Sequence, residues 1–404
     1  MTTSLRTGRS ARAAALSIVT AGALVLSACG SGAGNGGQPP QVQPSGTQPS
    51  ATGAPVTDPV VVTYAGGLYV LDGTTLQIAA DVPLEGFNRV NPAGDDRHVI
   101  VSTAAGFRVL DAAGAAFTDV TFPGVKPGHV VRHAGKLVLF TDGTGEVTVL
   151  DPRSLGGDGP PATRGYTSAE PHHGVAIELA DGTLVTTLGN SETRRGIVVL
   201  DADRKELTRN EDCPGVHGEA TAQGEAVVVG CENGVLIYKD GAITKVPSPT
   251  AYGRIGNQAG TDTSPITLGD YKKDKDAELE RPTQISLIDT AAAKVKVVDL
   301  PASYSFRSLG RGPQGEGLVL GTDGQIHVVD PVAGAVVRSI PVTGAWQEPL
   351  EWQQPRPALF VRGATAYVSD PGTKQIVAID LTSGAKKATA SLPQTPNELS
   401  GVTS

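Results

Sequence analysis

The sequence has 404 residues and a formal net charge of −8, with 41 acidic and 33 basic residues. This acidic balance argues against nucleic-acid binding and against electrostatic attachment to anionic lipid. Length alone would suggest two or three domains, but the internal repeats described below indicate one.

The first 28 residues have the pattern of a secretory signal peptide. Three arginines (Arg6, Arg9 and Arg12) precede an apolar run from 13 to 25, and Leu-Ser-Ala stands directly before Cys29. The alternative is a transmembrane helix, but the apolar run is short for a bilayer span. We therefore predict a lipoprotein that is cleaved before Cys29, lipidated on that cysteine and attached to the membrane from outside the cytoplasm. Cleavage would change the net charge from −8 to −11.

A low-complexity segment follows the lipidation site. Residues 29–58 consist mostly of Gly, Pro, Gln, Ser and Thr, and the first charge is Asp58. Such a composition cannot bury enough apolar surface to fold, so it predicts a flexible tether. The folded part of the chain is then residues 59–404.

One signal recurs eight times in residues 59–404. A short apolar run ends in aspartate each time, and successive aspartates are 39 to 50 residues apart. Neighbouring short apolar runs are bounded by glycine, and no segment has a convincing helical period. The repeated aspartates are Asp72, Asp111, Asp151, Asp201, Asp240, Asp289, Asp330 and Asp380.

About four short strands in each repeat, with glycine-rich turns, are typical of a β-propeller. We predict an all-β fold, a single propeller of eight blades, with seven blades as the alternative. Each repeated aspartate should end the third strand of its blade and cap the next turn. The first repeat lacks an innermost strand, which residues 396–402 can supply, so the C-terminal strand should close the ring and leave no open edge.

Histidines stand near the predicted starts of three successive innermost strands. They are His129, the pair His172 and His173, and His217, which are four of the seven histidines in the sequence. Neighbouring blades bring such positions together at the channel mouth. Three neutral imidazoles suit zinc, with Glu170 or Glu219 completing the shell or orienting the rings. The alternative is a set of ordinary channel histidines bonded to water or backbone.

Two cysteines remain in the predicted mature body. Cys213 and Cys231 flank His217, and an even pair outside the cytoplasm favours a disulfide. The alternative is that one of these cysteines, in reduced form, joins the metal shell.

The sequence also resembles the AztD-type zinc metallochaperones. The stretches that carry the resemblance are residues 87–98, 171–176, 213–220, 252–258, 352–357 and 396–399. The resemblance implies an extracytoplasmic zinc carrier on a β-propeller that passes zinc to the solute-binding protein of a zinc ABC importer. It implies His129, His173 and His217 as ligands, with His172 as the substitute. Some members carry a histidine-rich N-terminal segment, whereas the tether here has no histidine.

Two other functions remain open from the sequence. One is a metal-dependent propeller enzyme, since three histidines can leave an open position for an activated water on zinc. Against this, no Ser-His-Asp spacing, phosphate-binding glycine loop or repeated tryptophan motif is present, so we expect no enzymatic activity. The other is a metal-free envelope propeller that binds a protein partner.

Overall fold

The computed structural model describes residues 54–157 and 159–403. The predicted signal peptide, the lipidation site Cys29 and most of the predicted tether lie outside these residues. The described chain forms eight four-stranded antiparallel sheets, which are the blades of a β-propeller. The prediction of eight blades is therefore confirmed, and the seven-blade alternative is wrong. Within the described residues, no helix is both long and apolar enough to cross a bilayer.

Each blade runs from an innermost strand at the channel to an outer strand at the rim. For blades 1 to 8, the innermost strands are β32 (Leu399–Gly401), β4 (Arg89–Pro92), β8 (Pro127–His133), β12 (Ala176–Glu178), β16 (His217–Ala222), β20 (Gln258–Ala259), β24 (Tyr304–Arg311) and β28 (Ala358–Arg362). The second strands are β1 (Val60–Tyr64), β5 (His98–Thr103), β9 (Lys136–Thr141), β13 (Leu184–Gly189), β17 (Ala226–Cys231), β21 (Ile266–Asp270), β25 (Gly317–Gly321) and β29 (Thr365–Asp370).

The two remaining strands of each blade lie farther from the channel. The third strands are β2 (Gly67–Leu71), β6 (Gly106–Asp111), β10 (Glu146–Leu150), β14 (Arg194–Leu200), β18 (Gly234–Lys239), β22 (Gln284–Asp289), β26 (Gln325–Asp330) and β30 (Gln375–Asp380). The outer strands are β3 (Ile78–Pro83), β7 (Ala116–Pro123), β11 (Thr163–Thr167), β15 (Glu206–Asn210), β19 (Ala242–Pro247), β23 (Lys294–Asp299), β27 (Ala335–Pro341) and β31 (Lys386–Ser391). A 3₁₀ helix, Pro152–Gly156, follows β10.

The burial of each strand follows its place in the blade. Strands β2 and β17 are buried at every residue, whereas the outer strand β19 alternates between exposed and less exposed positions. A central strand is covered on both faces by neighbouring blades, which favours a continuous apolar run. The core accordingly lies between blades, and one cluster joins side chains of blades 3, 4 and 5.

The chain closes the ring with its own C-terminus, as predicted. Strand β32 pairs antiparallel with β1, in the register Val60↔Gly401 to Val62↔Leu399. This pairing covers the inner edge of β1, which would otherwise be open. Because the first and last described strands share one sheet, the two ends of the propeller are held by backbone hydrogen bonds.

Seven of the eight repeated aspartates cap turns, as predicted, and Asp240 does not. Asp72 accepts hydrogen bonds from the amides of Thr74 and Thr75, and Asp380 accepts them from Thr382 and Ser383. Asp240 differs, because its own backbone takes a positive φ of 50°. The eight-fold signal in the sequence is therefore a structural one.

The antiparallel order of the strands defines two faces of the propeller. We call the crossover face the one that carries the connections from each outer strand to the next innermost strand. The hairpins between second and third strands lie on this same face, while the turns that follow the repeated aspartates lie on the opposite face.

Candidate metal centre

Three of the four candidate histidines converge on the crossover face. His129 is the third residue of β8, His173 lies three residues before β12, and His217 is the first residue of β16. Their ring centroids are 5.0 to 5.4 Å apart. One nitrogen of each ring lies within 4.8 Å of the others, so the three imidazoles can hold one metal ion. Blades 3, 4 and 5 each contribute one side chain.

The three histidines stand at different positions relative to the starts of their strands, and local irregularities of the backbone bring their rings together. The register of β8 shifts between Pro127 and Val130, around His129, and that of β16 shifts directly after His217. Gly218 has a φ of +72°, which a glycine adopts without strain. A Cβ at Gly128 would collide with the Asp142 carboxylate. The glycines beside the histidines thus permit bends and close approaches that set the rings.

Hydrogen bonds fix which nitrogen of two rings faces the centre. The Nδ1–H of His173 donates to Asp142 Oδ2 over 2.5 Å, and the Nδ1–H of His217 donates to the carbonyl of Gly256. Carboxylate and carbonyl oxygens accept only, so in the neutral form of each ring the Nε2 atom carries a lone pair. These two Nε2 atoms are 3.0 Å apart.

Two lone pairs at this separation repel each other unless a cation lies between them. A tetrahedral zinc with bonds of 2.0 to 2.1 Å would place two ligand nitrogens about 3.3 Å apart. The observed spacing is close to that value, so the pair of rings is arranged as one edge of a metal coordination shell. Oriented Nδ1 groups of this kind are typical of metal-binding histidines.

A second layer of contacts holds the carbonyl that orients His217. The amides of Gly256 and Asn257 donate to Asp270 Oδ1, at 2.6 and 3.0 Å. Asp270 is only 4% exposed, and this burial raises the pKa of its carboxyl. Asp270 therefore holds the loop before β20 in place, which keeps the Gly256 carbonyl directed at the His217 ring.

The electrostatic environment favours the neutral forms of His129 and His217. Burial, then the neighbouring rings His217 and His173, hold the pKa of His129 well below its usual range. Burial lowers the pKa of His217 to about 3, although its hydrogen bond to Gly256 acts in the opposite direction. Neutral imidazole is the form that binds a metal. The cluster is thus ready to bind a cation at neutral pH.

One of the two carboxylates proposed from the sequence lies next to the cluster. Glu219 Oε2 is 3.6 Å from His129 Nδ1, and burial raises the pKa of Glu219 to about 8. The side chain of Glu170 is exposed, and its backbone carbonyl accepts a hydrogen bond from His172. Glu219 is therefore the carboxylate placed to support or complete a metal shell.

His172 lies apart from the three converging rings. Its side chain is 3% exposed, Nδ1 bonds to the Glu170 carbonyl, and Nε2 lies 2.9 Å from Thr187 Oγ1. Both nitrogens are thus engaged with the protein. Next to it, Gly174 has no room for a Cβ, which would meet the ring of Phe140 and His172 itself. The sequence left the choice within the pair open, and the structure brings only His173 to the cluster.

Cys213 and Cys231 form a disulfide. Their Cα atoms are 4.9 Å apart, and both residues are fully buried. Because the two sulfurs are bonded to each other, neither is a thiolate ligand, and the alternative of a cysteine in the metal shell is wrong. The bridge ties the segment before His217 to the end of β17.

Sequence reasoning missed Asp142, Gly256 and Asp270. Asp142 begins the Asp-Gly-Thr-Gly hairpin after β9, a pattern that indicates only a turn. Gly256 contributes its backbone carbonyl, and a backbone atom cannot be recognised from the residue type in the sequence. The hairpin of Asp142 lies in blade 3 and His173 in the crossover into blade 4, so only the fold shows that they meet.

Comparisons with known proteins also point to metal binding. No protein-family model matches the chain. The chain is 27% identical over 319 residues to the zinc chaperone AztD of Citrobacter koseri, covering 74% of this chain and 72% of that protein. The resemblance expected from the sequence is thereby confirmed. That relative is described as a chaperone, which agrees with the expectation of a non-enzymatic protein.

Solved structures share the fold. The crystal structure of Citrobacter koseri AztD matches with a TM-score of 0.73 and 22% identity, covering 85% of this chain and 96% of the other. Dihydro-heme d1 dehydrogenase NirN matches with a TM-score of 0.57 and 16% identity, covering 89% and 78%. Since unlike functions occur on this fold, function has to be argued from the site.

Proposed function

We propose that the protein is a zinc-binding metallochaperone, located outside the cytoplasm and held at the membrane by a lipid on Cys29. In this proposal it carries one zinc ion on His129, His173 and His217. It passes the ion to the solute-binding protein of a zinc ABC importer.

One observation carries the zinc site. The Nε2 atoms of His173 and His217 face each other 3.0 Å apart, and in the neutral rings they carry the lone pairs because both Nδ1 atoms donate to protein acceptors. A third imidazole lies within ligand distance, and three neutral nitrogens suit zinc. The likeness to a zinc chaperone favours zinc over copper, which the ligand type alone would not.

Two features support the location. The pattern of arginines, apolar run and Leu-Ser-Ala before Cys29 is that of an exported lipoprotein. The Cys213–Cys231 disulfide persists in an oxidising compartment. A single acyl chain binds a membrane marginally, so more than one chain on Cys29 is expected.

Three histidine ligands would leave the fourth position of a tetrahedral zinc ion for another ligand, which suits a protein that passes the ion on. Three imidazoles come from the described protein, and Glu219, whose Oε2 lies 3.6 Å from His129 Nδ1, is the carboxylate placed to add a further ligand, since Asp142 is engaged behind His173. Because the cluster lies on the crossover face, partly open to solvent, an incoming ligand can reach the ion. Transfer would proceed by exchange of ligands in a docked complex.

Metal analysis of untagged mature protein tests the zinc site. We expect about one zinc per chain, and less than a tenth of that in a His173→Ala/His217→Ala variant. His133→Ala is the matched control, because His133 lies at the other end of β8 and pairs with Glu225 at 2.8 Å. Full zinc retention in the double variant would refute the site.

A transfer assay tests the chaperone role. Zinc-loaded protein and a zinc-free solute-binding protein are mixed directly, or are separated by a dialysis membrane. We expect transfer on direct mixing to be faster than transfer across the membrane. Equal rates in the two arrangements would contradict transfer in a complex and leave a storage protein.

A further inference from the structure

Two arginines stand beside the histidine cluster on the crossover face. Arg254 lies in the connection from β19 to β20, and its guanidinium occupies the space where a Cβ of Gly256 would be. The carbonyl of Gly256 is the acceptor for His217. The guanidinium is therefore packed against the residue that orients one of the ligands.

Arg194 lies in blade 4, next to the histidine cluster. It is the first residue of β14, and its carbonyl accepts the amide of Gly215 at 2.8 Å, two residues before His217. Since β14 begins on the crossover face, Arg194 lies there beside the segment that leads into His217.

Neither guanidinium has a partner of its own within residues 54–157 and 159–403. There, the side chains of Arg194 and Arg254 make no hydrogen bond and no ion pair, whereas the adjacent Arg195 pairs with Glu211 at 3.1 Å. Burial and then the charge of Arg254 lower the pKa of Arg194. Both side chains are only partly buried, so their donors remain accessible.

The negative charges near this pair form no ion pair with it. Asp142 holds His173, and Asp270 accepts hydrogen bonds from the amides of Gly256 and Asn257. Glu232 makes no side-chain hydrogen bond or ion pair in the described residues, and Glu232 and Asp142 act on Arg194 only from beyond ion-pair distance. A bound zinc ion would add two more positive charges beside the two arginines. The site would then attract an anion, and guanidinium groups bind carboxylates well because their donors match both oxygens.

We propose that Arg194 and Arg254 form a carboxylate-binding site beside the metal centre, which takes a carboxylate of the incoming zinc acceptor during transfer. This inference rests on the proposed function. The protein as a whole is acidic, with a net charge of −8, and would repel an acidic acceptor. The arginine pair reverses that repulsion at the one place where the ion is exchanged.

The test compares zinc removal by two chelators of unlike charge. Quin-2 carries four carboxylates, and TPEN is neutral and binds through nitrogen. Zinc-loaded wild-type protein is compared with an Arg194→Gln/Arg254→Gln variant, and the rates are measured at low and high NaCl. The control is Arg153→Gln/Arg209→Gln, which removes the same charge from exposed positions on the 3₁₀ helix and an outer strand.

We expect the double variant to bind one zinc, to lose zinc to quin-2 about tenfold more slowly, and to lose zinc to TPEN at the wild-type rate. The salt dependence of the quin-2 rate should also decrease, while the control variant should behave as wild type. An unchanged quin-2 rate, or an equal decrease with both chelators, would overturn the inference and leave the zinc site standing. A wild-type protein without zinc would instead refute the proposed function, and this inference with it.

Discussion

The two halves of the channel mouth use equivalent positions in opposite ways. Blades 3, 4 and 5 place imidazoles near the start of their innermost strands, and two of these rings face each other through Nε2 atoms 3.0 Å apart. Across the channel, charged side chains pair with one another: Arg356 with Glu348 at 2.6 Å, and Arg307 with Glu398 at 2.5 Å. The paired half balances its charges within the protein, whereas the histidine half offers nitrogen ligands to a cation.

The difference shows how a repeated fold separates structure from binding. Arg356 is 2% exposed, and a second nitrogen of its guanidinium donates to the carbonyl of Glu351. Such buried charges stay in place because each has a partner. In the histidine half, the hydrogen bonds that orient the rings lie behind them and leave the inward nitrogens uncommitted.

The largest effect should come from removing one imidazole. A His217→Ala change deletes one of three ligands, so we expect zinc affinity to fall on the order of a thousandfold, more than the roughly 10- to 100-fold typical of outer contacts. The zinc-free protein should keep its stability within about 1 kcal/mol. Competition titration and chemical denaturation measure the two quantities. A large loss of stability without loss of zinc would mean that His217 serves the fold rather than zinc binding.

The opposite half should show the converse behaviour. Glu348→Ala leaves the buried Arg356 uncompensated, and we expect the free energy of unfolding to decrease by about 3 to 5 kcal/mol. The zinc content of the folded protein should stay at one per chain. Glu348→Gln is the matched control, since it keeps a hydrogen-bond acceptor and should cost less. Loss of zinc in folded Glu348→Ala protein would show that the two halves are coupled.

A smaller effect should come from the carboxylate behind His173. Asp142→Asn weakens the acceptor of the Nδ1–H bond, so zinc affinity should fall roughly 10- to 100-fold. Glu225→Gln provides the control, because Glu225 pairs with His133 outside the cluster. The assay is the same competition titration. Equal affinities for the two variants would mean that Asp142 does not orient the ligand.

The smallest effect should appear as a pH dependence of the zinc-free protein. Burial lowers the pKa of His217 from 6.5 to about 3, so between these values the unfolded chain binds a proton that the native state excludes. Stability should therefore decrease as the pH falls from about 6.5 towards 3. The decrease should be smaller in His217→Gln, as measured by denaturation midpoints at pH 7, 6 and 5. The same pH dependence in both proteins would contradict a buried neutral ring.

Much of the fold follows from the sequence because the repeated signal is local. The apolar runs that end in Asp72, Asp111 and the six further aspartates predict third strands with capped turns, and the structure shows all eight strands and a capped turn at every aspartate except Asp240. The missing innermost strand of the first repeat likewise predicts closure by the C-terminus. Local propensity and long-range pairing agree at these positions, so pattern reasoning succeeds.

The sequence by itself determined the eight-bladed ring, the spacing of the histidines and an even pair of cysteines. Only the tertiary structure decided which histidine of the pair His172 and His173 faces the cluster, and that Asp142 and Gly256 orient the rings. The physical reason is that blade periodicity fixes where a strand begins, whereas bulges and crossover loops fix where a side chain points. Those irregular segments are shaped by contacts between blades, which no local pattern records.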